Sequence, residues 1–313
     1  MRNRPHIDQK YYERDSRKGI IRILSTLTVF GGLTLVGIFS PEVFCVVTIP
    51  LAGFVMAGFY SGMHYLSHDS IFQNQKVNRA WGLVFSGLLL QNFSLYKFFH
   101  LKHHRFTGVD GDTEPAGEVK SLFHYLFYAL NWDYFCAFVR MSTMSIFSYF
   151  PEFVSKDAQR KAVQHDAVVQ FLCISLSLFA TALFPIGMLK YYWLPLQFAM
   201  SLNFFLAFGE HFGCERSNNP FLNTRSFGRK PAIFKWFHWN ANYHAEHHLF
   251  PRATPWSLEP IHNEFSSRFK FGSISYVKLN ASIAGALIAN GKIFKKPDFS
   301  TTADFFYPLN KTE

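Results

Sequence analysis

Cysteine is scarce in this sequence, which has four in 313 residues: Cys45, Cys136, Cys173 and Cys214. No two of them stand at CxxC spacing, and Cys45 and Cys173 lie inside apolar runs. This usage excludes a disulfide-stapled secreted scaffold, a zinc ribbon and a cysteine-ligated iron–sulfur cluster. We therefore expect all four thiols to be reduced and structural.

Other common signals are missing as well. The sequence has no glycine-rich dinucleotide fingerprint, no haem-binding motif of the cytochrome b5 type, no internal repeat and no low-complexity tract. About nineteen polar residues precede the first apolar run, whereas a secretory signal has a shorter charged region and a small-residue cleavage site. We therefore expect no secretory signal at the N-terminus.

Apolar residues, in contrast, are abundant: 49% of the residues are hydrophobic, 17% are charged and 38 are Phe. A membrane-spanning helix needs about 20 mostly apolar residues. Four runs meet this need, at residues 20–39, 43–63, 166–184 and 191–209. Short turns join the first run to the second and the third to the fourth. The pattern predicts two helical hairpins in a membrane.

Basic residues concentrate on one side of these hairpins, with seven Lys or Arg among the first 22 residues. By the positive-inside rule, we expect the N-terminal, central and C-terminal segments to be cytoplasmic. Residues 81–95 are apolar but only about fifteen residues long, which favours an interfacial or re-entrant helix over a span. Residues 121–149 are aromatic and expected in the interface, and residues 276–290 are expected to form an amphipathic helix.

Together these patterns predict an all-α integral membrane fold. It has four transmembrane helices in two hairpins, a cytoplasmic histidine-rich cap and one interfacial or re-entrant helix. We expect three regions along the chain: a cytoplasmic N-terminal segment at 1–19, a membrane unit at 20–262 that carries the histidine clusters, and a cytoplasmic C-terminal cap and tail at 263–313.

Eight histidines fall in three short clusters. They are His64 and His68; His100, His103 and His104; and His244, His247 and His248. Residues three and four apart share one face of a helix, so each cluster directs two or three imidazoles toward one point. Imidazole is the commonest metal ligand in proteins and suits iron, zinc, copper and nickel. Because eight imidazoles exceed the needs of one ion, the count predicts two ions held side by side.

Simpler interpretations fit the remaining histidines. We expect His6, His124, His165 and His262 to be ordinary hydrogen-bonding residues. A zinc hydrolase of the HExxH type is excluded, because position 65 is Tyr where that motif requires Glu. A haem needs one or two axial histidines rather than eight.

The sequence resembles the membrane fatty acid desaturase and hydroxylase superfamily over roughly residues 20–262. Its three histidine boxes have the forms HxxxH, HxxHH and HxxHH, in the order that is typical of that superfamily. Two local contexts add to the resemblance: HLKHHRFT at residues 100–107, followed by an acidic stretch, and WNANYHAEHHLFP at residues 239–251. The positions of the boxes relative to the two hairpins also agree.

The resemblance implies two non-haem iron ions, with O₂ as co-substrate and the eight clustered histidines as ligands. It adds a ninth ligand, His211, at the end of the fourth apolar run. Some acyl-CoA members have an asparagine one turn before this histidine, where this chain has Ala207. We expect His238, near the third box, to be a hydrogen-bonding neighbour rather than a ligand.

Metal-bound histidines usually donate their second N–H to a carboxylate or carbonyl. Five acidic residues are candidates for this role: Asp69, Asp110, Asp112, Glu210 and Glu246. Asn240 and Asn242 are candidates for orienting the third box. Seven phenylalanines either line a substrate tunnel or belong to the core, and the sequence does not choose between these roles: Phe85, Phe93, Phe98, Phe99, Phe204, Phe205 and Phe208.

These residues are compatible with three functions. The first is O₂-dependent desaturation of a fatty acyl chain in a membrane lipid or lipid-linked substrate, with electrons from a separate ferredoxin or cytochrome b5. The second is hydroxylation or ketolation of a carotenoid or other lipid. The third, non-enzymatic metal binding or transport, is disfavoured because the apolar runs hold few polar residues. We expect the active site to face the cytoplasm, and we expect no nucleic-acid partner.

Overall fold

Helices dominate the part of the chain that the computed structural model describes, residues 5–114, 119–272 and 275–292. Within these ranges there is no strand beyond an isolated bridge between Arg225 and Phe271. The predicted all-helical fold is therefore confirmed. The helices, in chain order, are α1 (Ser16–Phe39), α2 (Cys45–Ser67), α3 (Gln75–Leu88), α4 (Phe93–Phe106), α5 (Leu122–Ala129), α6 (Trp132–Ile146), α7 (Asp157–Leu183), α8 (Pro185–Met188), α9 (Leu194–His211), α10 (Pro220–Asn223), α11 (Ala232–Phe237), α12 (His244–Leu249), α13 (Leu258–Phe265) and α14 (Tyr276–Ala289).

Three of the described helices are long and apolar enough to cross a membrane: α1, α7 and the segment Glu42–Ser67, which contains α2. They correspond to the first three predicted spans. The fourth apolar run forms α9, which follows a π-helical turn at Leu189–Trp193. Its crossing of the membrane remains a prediction, as does the four-span topology.

Helix α2 lies at the centre of the bundle and packs against α1, α3, α4 and α9. The most apolar window of its segment is 56% buried, compared with 22% for α1 and 17% for α7. The outer helices therefore present apolar side chains outward, as expected for helices that face lipid. At Gly58 a Cβ would lie 2.1 Å from the carbonyl oxygen of Phe237, so only glycine allows the end of α11 to approach α2 this closely.

The two turns that were predicted to close the hairpins meet at one end of the bundle. Lys190 Nζ lies 2.6 Å from Glu42 Oε1, and the hydroxyl of Tyr191 donates to the carbonyl of Gly37 at 2.7 Å. His64 and His211 stand near the C-terminal ends of α2 and α9, far along each helix from these turns. The histidines therefore gather at the opposite end of the bundle.

Residues 81–95, expected to form one interfacial or re-entrant helix, are divided between two helices. Helix α3 ends at Leu88 and α4 begins at Phe93, with Leu90 at a φ of 56° in the turn between them. The side chain of Asn92 caps α4 by accepting from the backbone of Leu95 at 2.9 Å. The apolar run therefore contains the end of one helix, a turn and the start of the next helix. The turn brings the chain back to the end of the bundle that carries the histidines.

Two further expectations concern the regions around the bundle. Residues 121–149 form α5 and α6, which expose large apolar side chains such as Phe123, Leu126 and Trp132. Residues 276–290 form α14, an apolar helix too short to be a span candidate, which packs against α5 and α9. The predicted three-part division of the chain is untested, and residues 273–274 and 293–313 of its last part lie outside the described residues.

An ion pair with a buried carboxylate fixes α4, which carries the second histidine box, to its neighbours. Asp166 of α7 is 1% exposed and pairs with Arg79 of α3. It also accepts from the backbone N–H of Ser94, at the start of α4, at 2.9 Å. Arg79 donates to the Ser94 hydroxyl at 2.7 Å. One carboxylate and one guanidinium thus join three helices.

We predict that Arg79→Met destabilises the fold by about 3 kcal/mol, because it leaves the Asp166 carboxylate buried without its cation. Thermal unfolding of the detergent-solubilised protein measures the change. Arg160→Met is the matched control. Arg160 pairs with Asp157 on the surface of α7, where ion pairs contribute little to stability. Equal stability of the two variants would contradict a structural role for the buried pair.

Candidate metal centre

Nine histidines meet at one end of the bundle and separate into two groups. The ligand atoms within each group all lie within 4.8 Å of one another. The first group is His64, His68, His100, His104 and His247, and the second is His103, His211, His244 and His248. These are the nine residues that the sequence and its resemblance singled out. The structure brings all of them together from α2 and the residue that follows it, α4, α9 and α12.

The spacing of the ring nitrogens matches the coordination shell of a metal ion. His64 Nε2 lies 2.7 Å from His247 Nε2, and His104 Nε2 lies 2.9 Å from His100 Nε2. In the second group, His103 Nε2 and His211 Nε2 are 3.2 Å apart. A first-row metal ion binds imidazole nitrogen at about 2.1 Å, so two ligands at right angles lie roughly 3 Å apart. The geometry therefore fits ions held by Nε2 atoms.

Burial keeps these imidazoles in the form that binds metal. It lowers the pKa of His68, His104, His247 and His248 well below the ordinary value of 6.5, and neighbouring histidines lower it further. A neutral imidazole offers a nitrogen lone pair, which a metal ion requires. The Nε2 atoms of His68 and His248 are buried and have no hydrogen-bond partner within the described residues. The two groups can therefore hold metal ions.

Hydrogen bonds on the outer nitrogens orient several of these rings. His211 Nδ1 donates to the carbonyl of Asn223 at 2.9 Å, and His103 Nδ1 lies 2.6 Å from Asp112 Oδ1. Burial alone would raise the pKa of Asp112, but hydrogen bonds from His103 and the backbone of Gly108 hold it below its usual value. An ionised carboxylate only accepts, so His103 donates from Nδ1 and directs its lone pair into the group.

Only Asp112 of the five acidic candidates meets the outer nitrogen of a clustered histidine, His103 Nδ1. Glu210 Oε2 lies 3.3 Å from His244 Nε2, the nitrogen that faces the histidine group, so it does not have the expected role. The other three candidates do not contact an outer nitrogen of a clustered histidine either. Asp69 pairs with Lys97 at 2.8 Å, Asp110 is exposed, and Glu246 Oε1 lies 2.5 Å from His262 Nδ1.

Four residues that the sequence analysis did not single out contact the clustered histidines. Glu114 Oε1 lies 3.4 Å from His100 Nδ1. Its position in the acidic stretch after the second histidine box could have indicated this contact. The Tyr96 hydroxyl lies 3.3 Å from His64 Nδ1, and the Thr107 hydroxyl lies 3.3 Å from His248 Nδ1. Asn223 acts through its backbone carbonyl, which any residue could supply. The sequence therefore gave no reason to select this position.

The loop before α12 is held by the two asparagines expected to orient the third box. Asn240 donates to the carbonyl of Pro255 at 2.8 Å, and Asn242 donates to the carbonyl of Gly228 at 2.6 Å. Trp239 and Asn240 have φ values of 54° and 57°, a left-handed conformation that bulky residues rarely adopt. The asparagines thus fix the backbone of the loop rather than the histidine rings.

A cavity of about 370 Å³ opens beside the histidines and contacts members of both groups, including His64 and His244. Of the seven candidate tunnel phenylalanines, three line it: Phe99, Phe204 and Phe208. The other four pack elsewhere, with Phe85 and Phe93 in the main core. Ala207 also lines the cavity, one turn before His211. Its small side chain leaves open space next to the second group.

His238 differs from the expectation of a hydrogen-bonding neighbour. Its ring is 1% exposed, lines the cavity and belongs to neither histidine group. Neither ring nitrogen has a hydrogen-bond partner within the described residues. The expected role of this side chain is therefore wrong, although its separation from the ligand groups agrees with the prediction.

A helical bundle with candidate membrane spans and two groups of converging histidines defines a membrane protein with a histidine-rich metal centre. The sequence profile of one family, fatty acid desaturase, matches residues 41–280, well over half of the chain. The chain therefore belongs to the fatty acid desaturase family, an oxidoreductase family that acts on lipid acyl substrates. A search of curated proteins gave no match.

We predict that Asp112→Asn weakens metal binding by about 10- to 100-fold, because the neutral amide no longer fixes the proton of His103 on Nδ1. Titration of the metal-free protein with a divalent ion measures the change. The matched control is Asp110→Asn, two residues away and exposed, which should bind as the wild type does. Equal affinities for both variants would exclude this role of Asp112.

Proposed function

We propose that this protein desaturates a fatty acyl chain of a membrane lipid or lipid-linked substrate, using O₂ and two iron ions held by the nine histidines. The proposal rests on one observation: histidines of both groups also line the cavity. A carbon of a chain in this cavity lies beside the ligand atoms. Membership of the fatty acid desaturase family supports the same reaction.

The donor set suits iron. Imidazole binds iron well, and the two groups offer five and four nitrogens with no cysteine among them. His64, His68, His100, His104 and His247 would hold one ion, and His103, His211, His244 and His248 the other. Iron with O₂ supplies the oxidising power that breaks an unactivated C–H bond, which no side chain can provide.

The chain itself positions the substrate and excludes water. Phe99, Phe204 and Phe208 give the cavity apolar walls, so an acyl chain is favoured there and bulk water is not. The reaction removes two hydrogen atoms from adjacent carbons. Two external electrons and two protons complete the reduction of O₂ to two molecules of water. The sequence shows no electron-carrying motif, so the donor is a separate protein of the ferredoxin or cytochrome b5 type.

Charge supports a cytoplasmic centre. Helix α1 runs antiparallel to α2, so its basic N-terminal end lies at the histidine end of the bundle. Arg22, near this end, lies 5.5 Å from the ring of Trp239, next to the third histidine box. Because positive charge is retained on the cytoplasmic side, this end is assigned to the cytoplasm. The basic surface also suits anionic lipid or an acidic electron donor.

We predict that a desaturase-deficient host expressing this chain with a redox partner gains an unsaturated acyl species, which gas chromatography–mass spectrometry of total lipid detects. His103→Ala and His247→Ala each remove one ligand and should abolish the product while leaving membrane insertion intact. His6→Ala, an exposed histidine outside both groups, is the control. An oxygenated lipid or pigment in place of an alkene would identify a hydroxylase or ketolase.

We also predict about two iron ions per chain in the protein purified from iron-supplied cells, with the ratio measured by elemental analysis. His103→Ala weakens the second group and His247→Ala the first, so each variant should retain about one ion. Wild-type iron content in both variants would contradict the ligand assignment, whatever the activity.

A further inference from the structure

Aromatic contacts hold the side chain of His238 in place. Its ring stacks on Phe234, with centroids 4.6 Å apart, and meets Phe54 of α2 edge to face at 4.7 Å. The backbone of His238 is satisfied, since its N–H donates to the carbonyl of Phe234 at 2.9 Å and its carbonyl accepts from Ala241 at 2.8 Å. The side chain therefore has a fixed position, and its nitrogens do not serve to hold it there.

Both nitrogens of His238 are buried and lack a hydrogen-bond partner within the described residues. A buried polar group left in this state destabilises the fold, and an apolar ring of similar shape would avoid that cost. The ring borders the cavity, so a molecule in the cavity lies next to it. The imidazole is thus suited to a ligand rather than to the packing of the protein.

Burial also determines which ligand chemistry the ring accepts. It lowers the pKa of His238 to about 3, so the imidazole is neutral near pH 7 and offers one N–H donor and one acceptor nitrogen. A neutral carbonyl can accept from the N–H, and a hydroxyl can donate to the other nitrogen. A carboxylate would have to be buried without a compensating positive charge from this ring, which is costly.

The position of His238 alongside α2 gives the approximate distance from its ring to the histidine groups. Phe54, which contacts His238, stands ten positions before His64 on α2, and Gly58, beside the carbonyl of Phe237, stands six positions before it. At 1.5 Å per residue these positions lie about 15 Å and about 9 Å along the helix axis from His64. Asn203 and Ser61 line the same cavity. Polar residues thus stand among the aromatic residues of its wall.

We infer that His238 is a substrate-binding residue that hydrogen-bonds a neutral oxygen of the lipid, a carbonyl or a hydroxyl, while a carbon about 9 to 15 Å away reaches the histidine groups. The inference rests on the proposed function for the identity of the oxidised carbon. It defines the substrate class as lipids with a neutral oxygen at a set distance from that carbon. Pure hydrocarbons and free carboxylates bind less well.

Equilibrium binding to the detergent-solubilised protein tests this inference without requiring turnover. The probes are four molecules with the same chain: methyl stearate, 1-octadecanol, octadecane and stearate. We expect the ester, the alcohol or both to bind at least about tenfold more tightly than octadecane and stearate. His238→Phe should remove this preference, and His238→Gln, which keeps a donor and an acceptor, should retain part of it. His124→Phe, outside the cavity lining, is the control.

Infrared difference spectroscopy with methyl stearate labelled at the carbonyl carbon gives a second readout. Hydrogen bonding should lower the carbonyl stretching frequency in the wild type and in His238→Gln but not in His238→Phe. A wild type that shows no preference for either oxygen-bearing probe, or a His238→Phe variant that keeps it, overturns the inference. If His238→Phe does not fold, the wild-type preference and the spectrum of His238→Gln decide.

The two proposals fail in different ways. A preference for oxygen-bearing probes that depends on His238, in a protein that forms no alkene, would support this binding role and refute the desaturase. Alkene formation without that preference would keep the desaturase and refute the binding role.

Discussion

Nine imidazole nitrogens brought close together in a buried space are the constraint on which the rest of this structure depends. Neighbouring lone pairs at roughly 3 Å repel each other unless a proton or a cation lies between them. Burial disfavours the protonated rings, as the lowered pKa of His68 and His248 shows. Neutral imidazoles at this distance can share N–H···N hydrogen bonds, and a metal cation can instead bind their lone pairs. The bundle, the ion pair of Arg79 and the loop at Asn240 all serve to hold the rings in this position.

Much of the centre was predictable because the relevant signal is local. Spacings of three and four residues follow from the pitch of a helix, so the clustered histidines could be assigned before their helices were known. His211 was different, because it stands alone in the sequence and only the family resemblance identified it. The all-helical class followed from the length of the apolar runs for the same local reason.

The residues around the histidines were harder to predict, because their roles depend on contacts between distant segments. Asp112 and Asp110 are nearly identical in sequence context, yet only Asp112 faces His103. Glu246 lies between ligands, but its carboxylate turns toward His262. The break between α3 and α4 was missed because Gln91 and Asn92 are the only polar residues in the turn and it contains no glycine or proline. That turn is stabilised by Asn92 and by a hydrogen bond from Gln170 to Leu90, and both act at close range in space.

Helices α4 and α12 each carry members of both histidine groups. On α4, His100 and His104 belong to the first group and His103 to the second; on α12, His247 belongs to the first and His244 and His248 to the second. The distance between the two groups is therefore set by helix pitch, because neither group can move without the helices that it shares with the other. An ion held by one group would also fix the helices that shape the other group. A chain with one ion would then have much of its second site already in place.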